Sequence, residues 1–105
     1  MTFEYITTQE QLSECIKKIN SVPEIAVDLE FDKNRYRYGF NLCLLQIKAA
    51  DEIFLIDPLG ADFDIKPIFE PLENPKIEKV VYAFGEDIRL LHTLGCYPKN
   101  LFDIV

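Results

Sequence analysis

The sequence predicts an α/β fold: a mixed five-stranded sheet, part antiparallel meander and part parallel strand, with helices packed against it. Three observations carry this expectation. Residues 25–31, 41–48 and 52–57 are three strand-like runs joined by short connections, the pattern of an antiparallel meander. Residues 77–83 form a further strand-like run reached only after a helical stretch, a connection long enough to cross over to a parallel position. Apolar residues recur at helical spacing in the segments between.

The elements follow in order. Phe3-Glu4-Tyr5-Ile6 is a short strand. Thr8 caps the next helix, with Gln11 three residues on to complete a capping box. Leu12, Cys15, Ile16 and Ile19 then mark one apolar face, and the helix is expected to end near Asn20. Pro23 punctuates the chain before the strand at 25–31. The second and third meander strands meet at the turn Ala49-Ala50-Asp51, and Pro58 and Gly60 end the meander. Ile65, Ile68, Phe69 and Leu72 mark a helix interrupted near Pro67 and stopped before Pro75. Gly85 opens a last helix with Ile88, Leu91 and Leu94 on its apolar stripe and Gly95 as its stop. Residues 101–105 read as the start of another element, and the chain is expected to be part of a longer domain.

Composition narrows the function classes. With 105 residues and 49% hydrophobic content, the chain is one domain or a piece of one, with enough apolar mass for a core. A net charge of −7 argues against a module that grips nucleic acid through an overall basic field, yet leaves room for an enzyme whose cations offset an acidic site. Cys15, Cys43 and Cys96 are widely spaced and form no paired Cys/His cluster, so zinc is not expected and free thiols in a cytoplasmic protein are the simplest reading. The N-terminus lacks the basic and apolar regions of a signal peptide, and no run reaches the length of a membrane span, so no membrane partner is expected.

The candidate chemistry lies at Asp28 and Glu30. Strand alternation sets Val27, Leu29 and Phe31 on one face and both carboxylates on the other, about 7 Å apart along the strand. The continuous apolar run 25–27 before them suits a strand buried on both faces. Two anions at the end of such a strand call for a compensating charge, and hard oxygen ligands favour Mg²⁺ or Mn²⁺. The plain alternative is a polar strand end. Asp87 adds a third carboxylate in the first turn of the helix after the strand at 77–83. If that strand lies beside 25–31, the three carboxylates converge and suffice for two divalent ions about 3.5–4 Å apart. Otherwise Asp87 is a favourable helix-terminal charge and nothing more. The loop 33–39 concentrates basic and aromatic residues: Lys33, Arg35 and Arg37 suit phosphates, and Tyr36 or Tyr38 suits base stacking. A solvated hairpin loop is the alternative there. His92 falls five residues after Asp87, off its helical face, and reads as a surface or packing residue.

Together these stretches carry a family resemblance. Residues 27–31 with Tyr38 and 42–47 resemble the first motif of the ribonuclease D group of DEDD 3′–5′ exonucleases, residues 53–59 resemble its next stretch, and residues 79–88 resemble its second motif. The ending Asn100-Leu101-Phe102-Asp103 is also similar to that group. The resemblance implies a ribonuclease H-like fold and two-metal hydrolysis of phosphodiesters from a 3′ end. By it, Asp28, Glu30 and Asp87 are the catalytic and metal-ligating residues, holding Mg²⁺ or Mn²⁺. Leu29 and Phe31 border the terminal nucleotide, though a core role suits both better, and Arg35 and Tyr38 complete the substrate-binding set. Tyr82 stands where many relatives have His and is not taken as catalytic; Asp103 and Asp57 are taken as structural. The resemblance makes residues 1–105 the N-terminal portion of an exonuclease domain. The family's third motif, with its fourth metal-binding Asp and its water-positioning Tyr or His, lies further along than this chain extends, so the fragment is expected to be inactive alone. The implied partner is the 3′ end of a single strand, RNA before DNA, with transfer-RNA processing leading. A non-catalytic nucleic-acid- or protein-binding module on the same fold is the alternative, and the uncovered apolar surface of a partial sheet is expected to make the fragment self-associate.

Overall fold

In the computed structural model, residues 2–32, 41–58, 63–82 and 85–104 are described. The chain runs β1 (Thr2–Ile6), α1 (Gln9–Ile19), β2 (Glu24–Asp32), β3 (Asn41–Ala49), β4 (Glu52–Ile56), a 3₁₀ turn (Lys66–Ile68), α2 (Phe69–Glu73), β5 (Glu78–Tyr82), α3 (Gly85–Thr93) and β6 (Leu101–Ile104). The strands form one six-stranded sheet in the order β1-β4-β3-β2-β5-β6. β2, β3 and β4 are the antiparallel meander; β1 joins β4 in parallel, and β5 and β6 extend the other edge in parallel. Five strands and a trailing element were expected; the trailing element is the sixth strand, closed onto β5 by the Leu101–Lys79 to Ile104–Tyr82 register.

The local signals explain most boundaries. Thr8 accepts from the Gln11 amide at 3.2 Å while Gln11 Oε1 accepts from the Thr8 amide at 3.2 Å, so two amides left over at the start of α1 are satisfied. Leu12, Cys15 and Ile19 are buried on the sheet and Asn20 caps the C-terminus. Lys18, on the rim of α1, reaches Glu52 of β4 at 3.0 Å and Glu4 of β1 at 3.9 Å. Pro67 confines its segment to a 3₁₀ turn, so the expected helix over 65–72 becomes that turn followed by five residues of α2. In α3 the buried residues are Leu90 and Leu91, with Ile88 partly buried. The expected stripe fails at Leu94, which lies past the helix end and is exposed. Gly95 provides the stop at φ +89°, and Cys96 N–H closes the turn on the Leu91 carbonyl at 2.8 Å.

The core occupies one side of the sheet. Ile6, Val27, Leu29, Leu45, Ile47, Phe54, Ile56 and Val81 meet the buried residues of the helices there. Strand alternation sends Phe3, Tyr5, Ala26, Asp28, Glu30, Lys48, Tyr82, Phe102 and Ile104 to the opposite side, and all nine are exposed. This corrects the expectation that 25–27 is buried on both faces: Ile25 and Val27 are buried, whereas Ala26 is exposed, because no described element covers that face.

Lys79 breaks the apolar pattern of the core. It is fully buried on β5, between its register neighbours Ile25 and Leu101. Its Nζ donates to the carbonyl of Asn74, the C-terminal cap of α2, and to the carbonyl of Lys99 at 3.0 Å. The ammonium is thus held by backbone dipoles, one at a helix C-terminus where cations are favoured. Burial pushes its pKa down. Cys15 and Cys96 are buried free thiols, each pushed up to about 12, chiefly by burial.

Candidate active site

The site begins with the pairing of β2. Asp28 lies opposite Gln46 and Glu30 opposite Leu44, both carboxylates on the helix-free face. The register then shifts: Phe31 pairs with Leu42, leaving the Cys43 backbone as the extra residue of a bulge. Bulges end regular pairing and twist the strand, and here one follows directly on the acidic pair. Leu29, between the two, points the other way and is 6% exposed in the core. Its side chain takes the core role, and only its backbone is left on the site side. Arg35 and Tyr38, together with Lys33, Tyr36 and Arg37, lie outside the described residues, as does the side chain of Phe31.

Asp87 reaches the same end of the sheet by a different route. β5 runs parallel to β2, with Ala26 beside Val80, so the C-terminal ends of both strands point the same way. α3 starts shortly after β5, with Glu86 and Asp87 in its first turn. The Asp87 carboxyl is pushed above its ordinary value, first by burial, then by the charge of Asp28, then by Glu86. Asp28 and Asp87, 59 residues apart in sequence, therefore share one electrostatic environment. Glu30 stands further along β2. Among the described residues, no three acidic, histidine or cysteine side chains close into a metal-holding group, so the convergence is that of Asp28 with Asp87.

This donor set fits a hard divalent cation. It offers carboxylate oxygens alone, and none of Asp28, Glu30 or Asp87 forms an ion pair with another described residue. Like charges brought together, with Asp87 half-buried, are relieved by a cation.

The other candidate residues take structural places. His92 is exposed and its ring lies 4.9 Å from that of Tyr97, as expected of a surface residue. The Asp57 amide donates to the Ile6 carbonyl at 3.1 Å, at the end of β4, and Asp103 sits on β6. The sequence left Lys79 without a role and set Tyr82 aside as non-catalytic. Lys79 carried a signal, since alternation with the apolar Ile77 and Val81 places it on the buried face. Tyr82 is 74% exposed on the face that carries Asp28, and only the sheet order sets it on the neighbouring strand.

A sheet of this topology, with a carboxylate of β2 brought near one from the helix after its parallel neighbour β5, defines a class. The 3′–5′ exonuclease profile matches residues 3–105, and the chain belongs to that family. Within it the chain is a DEDD exonuclease sequence of the ribonuclease D and RRP6 kind, with a ribonuclease H-like fold. It is similar to exosome complex component 10 homolog of Caenorhabditis elegans, 40% identical over 99 residues, 93% of this chain and 11% of that protein. It is similar to ribonuclease D of Gluconacetobacter diazotrophicus, 33% identical over 99 residues, 93% of this chain and 25% of the relative. The crystal structure of Escherichia coli RNase D, an exoribonuclease involved in structured RNA processing, superposes with a TM-score of 0.85 at 35% identity, covering 98% of this chain and 27% of that one. The chain thus spans about a quarter or less of the length of these relatives.

Proposed function

We propose that residues 1–105 are the N-terminal portion of an exonuclease domain that hydrolyses phosphodiester bonds from the 3′ end of single strands, RNA before DNA, in the cytoplasm. The carrying observation is that Asp28 on β2 and Asp87 in the first turn of α3, the helix that follows the parallel neighbour β5, lie within electrostatic reach of one another. Family membership and the likeness to an exoribonuclease support the reading.

In this reading Asp28, Glu30 and Asp87 hold Mg²⁺ or Mn²⁺. Bound there, the ions supply a water of lowered pKa and charge stabilisation for the oxygen that leaves. The chain's own residues do the rest. Asp28 and Glu30 present their oxygens from one face of β2, a strand held between β3 and β5. Asp87 approaches from the N-terminus of α3, where the helix dipole favours its ionised form and so offsets part of the cost of gathering the anions. Leu29 and Val27 anchor the strand in the core beneath.

Isothermal calorimetry of this chain with Mn²⁺ tests the reading. Binding that is lost in Asp28→Asn supports it. Binding unaffected by Asp28→Asn and Asp87→Asn overturns it and leaves the fold as a binding module.

A further inference from the structure

Tyr82 closes β5 with its ring 74% exposed, the highest value among the large hydrophobic side chains described. Its place is set by register. Ala26 of β2 pairs with Val80 of β5 on the helix-free face. Two residues further along each strand come Asp28 and Tyr82, the next positions on that same face. The β2–β5 pairing ends at Ala26 and Val80, so Asp28 and Tyr82 follow just beyond it, on adjacent strands and both exposed on the same face. On its other flank Tyr82 is paired with Ile104, itself half exposed.

We propose that Tyr82 is a substrate-contacting residue, the platform on which one base of a single-stranded nucleic acid stacks next to the phosphate held at Asp28 and Asp87. This rests on the exonuclease reading above. The charge of the chain favours it: at −7 the chain gains little from general attraction to a phosphate backbone, so contacts to the bases add affinity that its overall field does not supply. Stacking on an aromatic ring supplies such affinity without choosing among bases, because every base offers a π-face. A base lies one sugar from its phosphate, and Tyr82 lies on the strand next to the one carrying Asp28, where a metal, when bound, would hold the phosphate. Leu44 and Gln46, on the β3 side of the pair, are partly buried and offer no comparable ring.

The test uses the 105-residue chain with Mn²⁺ and a 5′-fluorescein octaadenylate, read by fluorescence anisotropy. Tyr82→Ala is expected to weaken binding roughly 5- to 100-fold, the loss of one base–aromatic stack. Tyr82→Phe and Tyr82→Trp are expected to stay within about twofold, since both keep the ring. An oligonucleotide series with one abasic position at a time supplies the readout that a structural role would not move. One abasic position should weaken the unsubstituted chain and have no further effect on Tyr82→Ala. Three outcomes overturn the proposal: Tyr82→Ala binding as tightly as the unsubstituted chain, Tyr82→Phe losing as much as Tyr82→Ala, or no binding by the unsubstituted chain. Calorimetry with Mn²⁺ alone separates this failure from that of the exonuclease reading. Metal binding that Asp28→Asn abolishes, with no effect of Tyr82→Ala on the oligonucleotide, removes Tyr82 and leaves the metal centre standing.

Discussion

Asp87, in the first turn of α3, lies within electrostatic reach of Asp28 on β2, and this like charge adds to burial in holding the Asp87 carboxyl above its ordinary 3.8. Folding brings two anions together without a described ion pair to either. Such an arrangement weakens the fold unless something else uses it.

A stability consequence follows with a definite sign. A carboxyl whose folded pKa lies above its unfolded value favours the fold fully below the unfolded value, and that favour is lost as pH rises through the folded value. The metal-free chain should therefore lose stability as pH climbs from about 3.8 through the raised value of Asp87. Asp28→Asn removes the like charge while leaving the dipole-favoured Asp87 in place. It is expected to lower the Asp87 pKa, followed by carboxyl NMR, and to stabilise the metal-free chain at pH 7 by a few tenths of a kcal/mol, solvent screening keeping the gain small. Saturating Mn²⁺ should reverse the order, stabilising the unsubstituted chain more than the variant.

In the full-length protein, Asp28→Ala, Glu30→Ala and Asp87→Ala are each expected to cut hydrolysis of a 3′-labelled single strand on the order of 100-fold or more, the scale of removing one preorganised group that stabilises transition-state charge. Retention of full activity by Asp28→Ala and Glu30→Ala together would remove both from the mechanism.

Lys79 should prove sensitive out of proportion to its distance from the site. Lys79→Met keeps much of the side-chain volume and strips the carbonyls of Asn74 and Lys99 of their donor. The expected loss is about 1–3 kcal/mol in urea denaturation. The pH dependence has the opposite sign to that of Asp87. Burial lowers the folded pKa of Lys79, so the unfolded chain binds more protons, and stability rises as pH passes through the lowered value toward 10.5. Lys79→Met should flatten that rise.

Phe3 and Tyr5 are exposed on the edge strand β1, on the face that no described element covers. Exposed apolar side chains on an edge strand favour pairing with another copy. Sedimentation velocity of the 105-residue chain should show self-association at high concentration, reduced in the Phe3→Ser, Tyr5→Ser double variant. A clean monomer across the concentration range would dismiss it.

Local chemistry was legible in the sequence. The Thr8–Gln11 box, the turn at Ala50-Asp51, the Gly95 stop and the alternation around Asp28 and Glu30 each act over a few residues, and each is present as expected. Leu94 was misjudged because α3 ends at Thr93, one residue short of the periodic position.

What the sequence determined by itself is the identity of the carboxylates and the face of β2 that carries two of them, because side-chain direction in a strand has a period of two and needs no distant partner. Which strands become neighbours, and therefore that Asp28 comes within electrostatic reach of Asp87, that Tyr82 lies on the strand next to that of Asp28 and that Lys79 finds two carbonyls, only the tertiary structure decided. Sheet order is set by burying one shared apolar face, a property of all the strands and helices together that no single segment encodes.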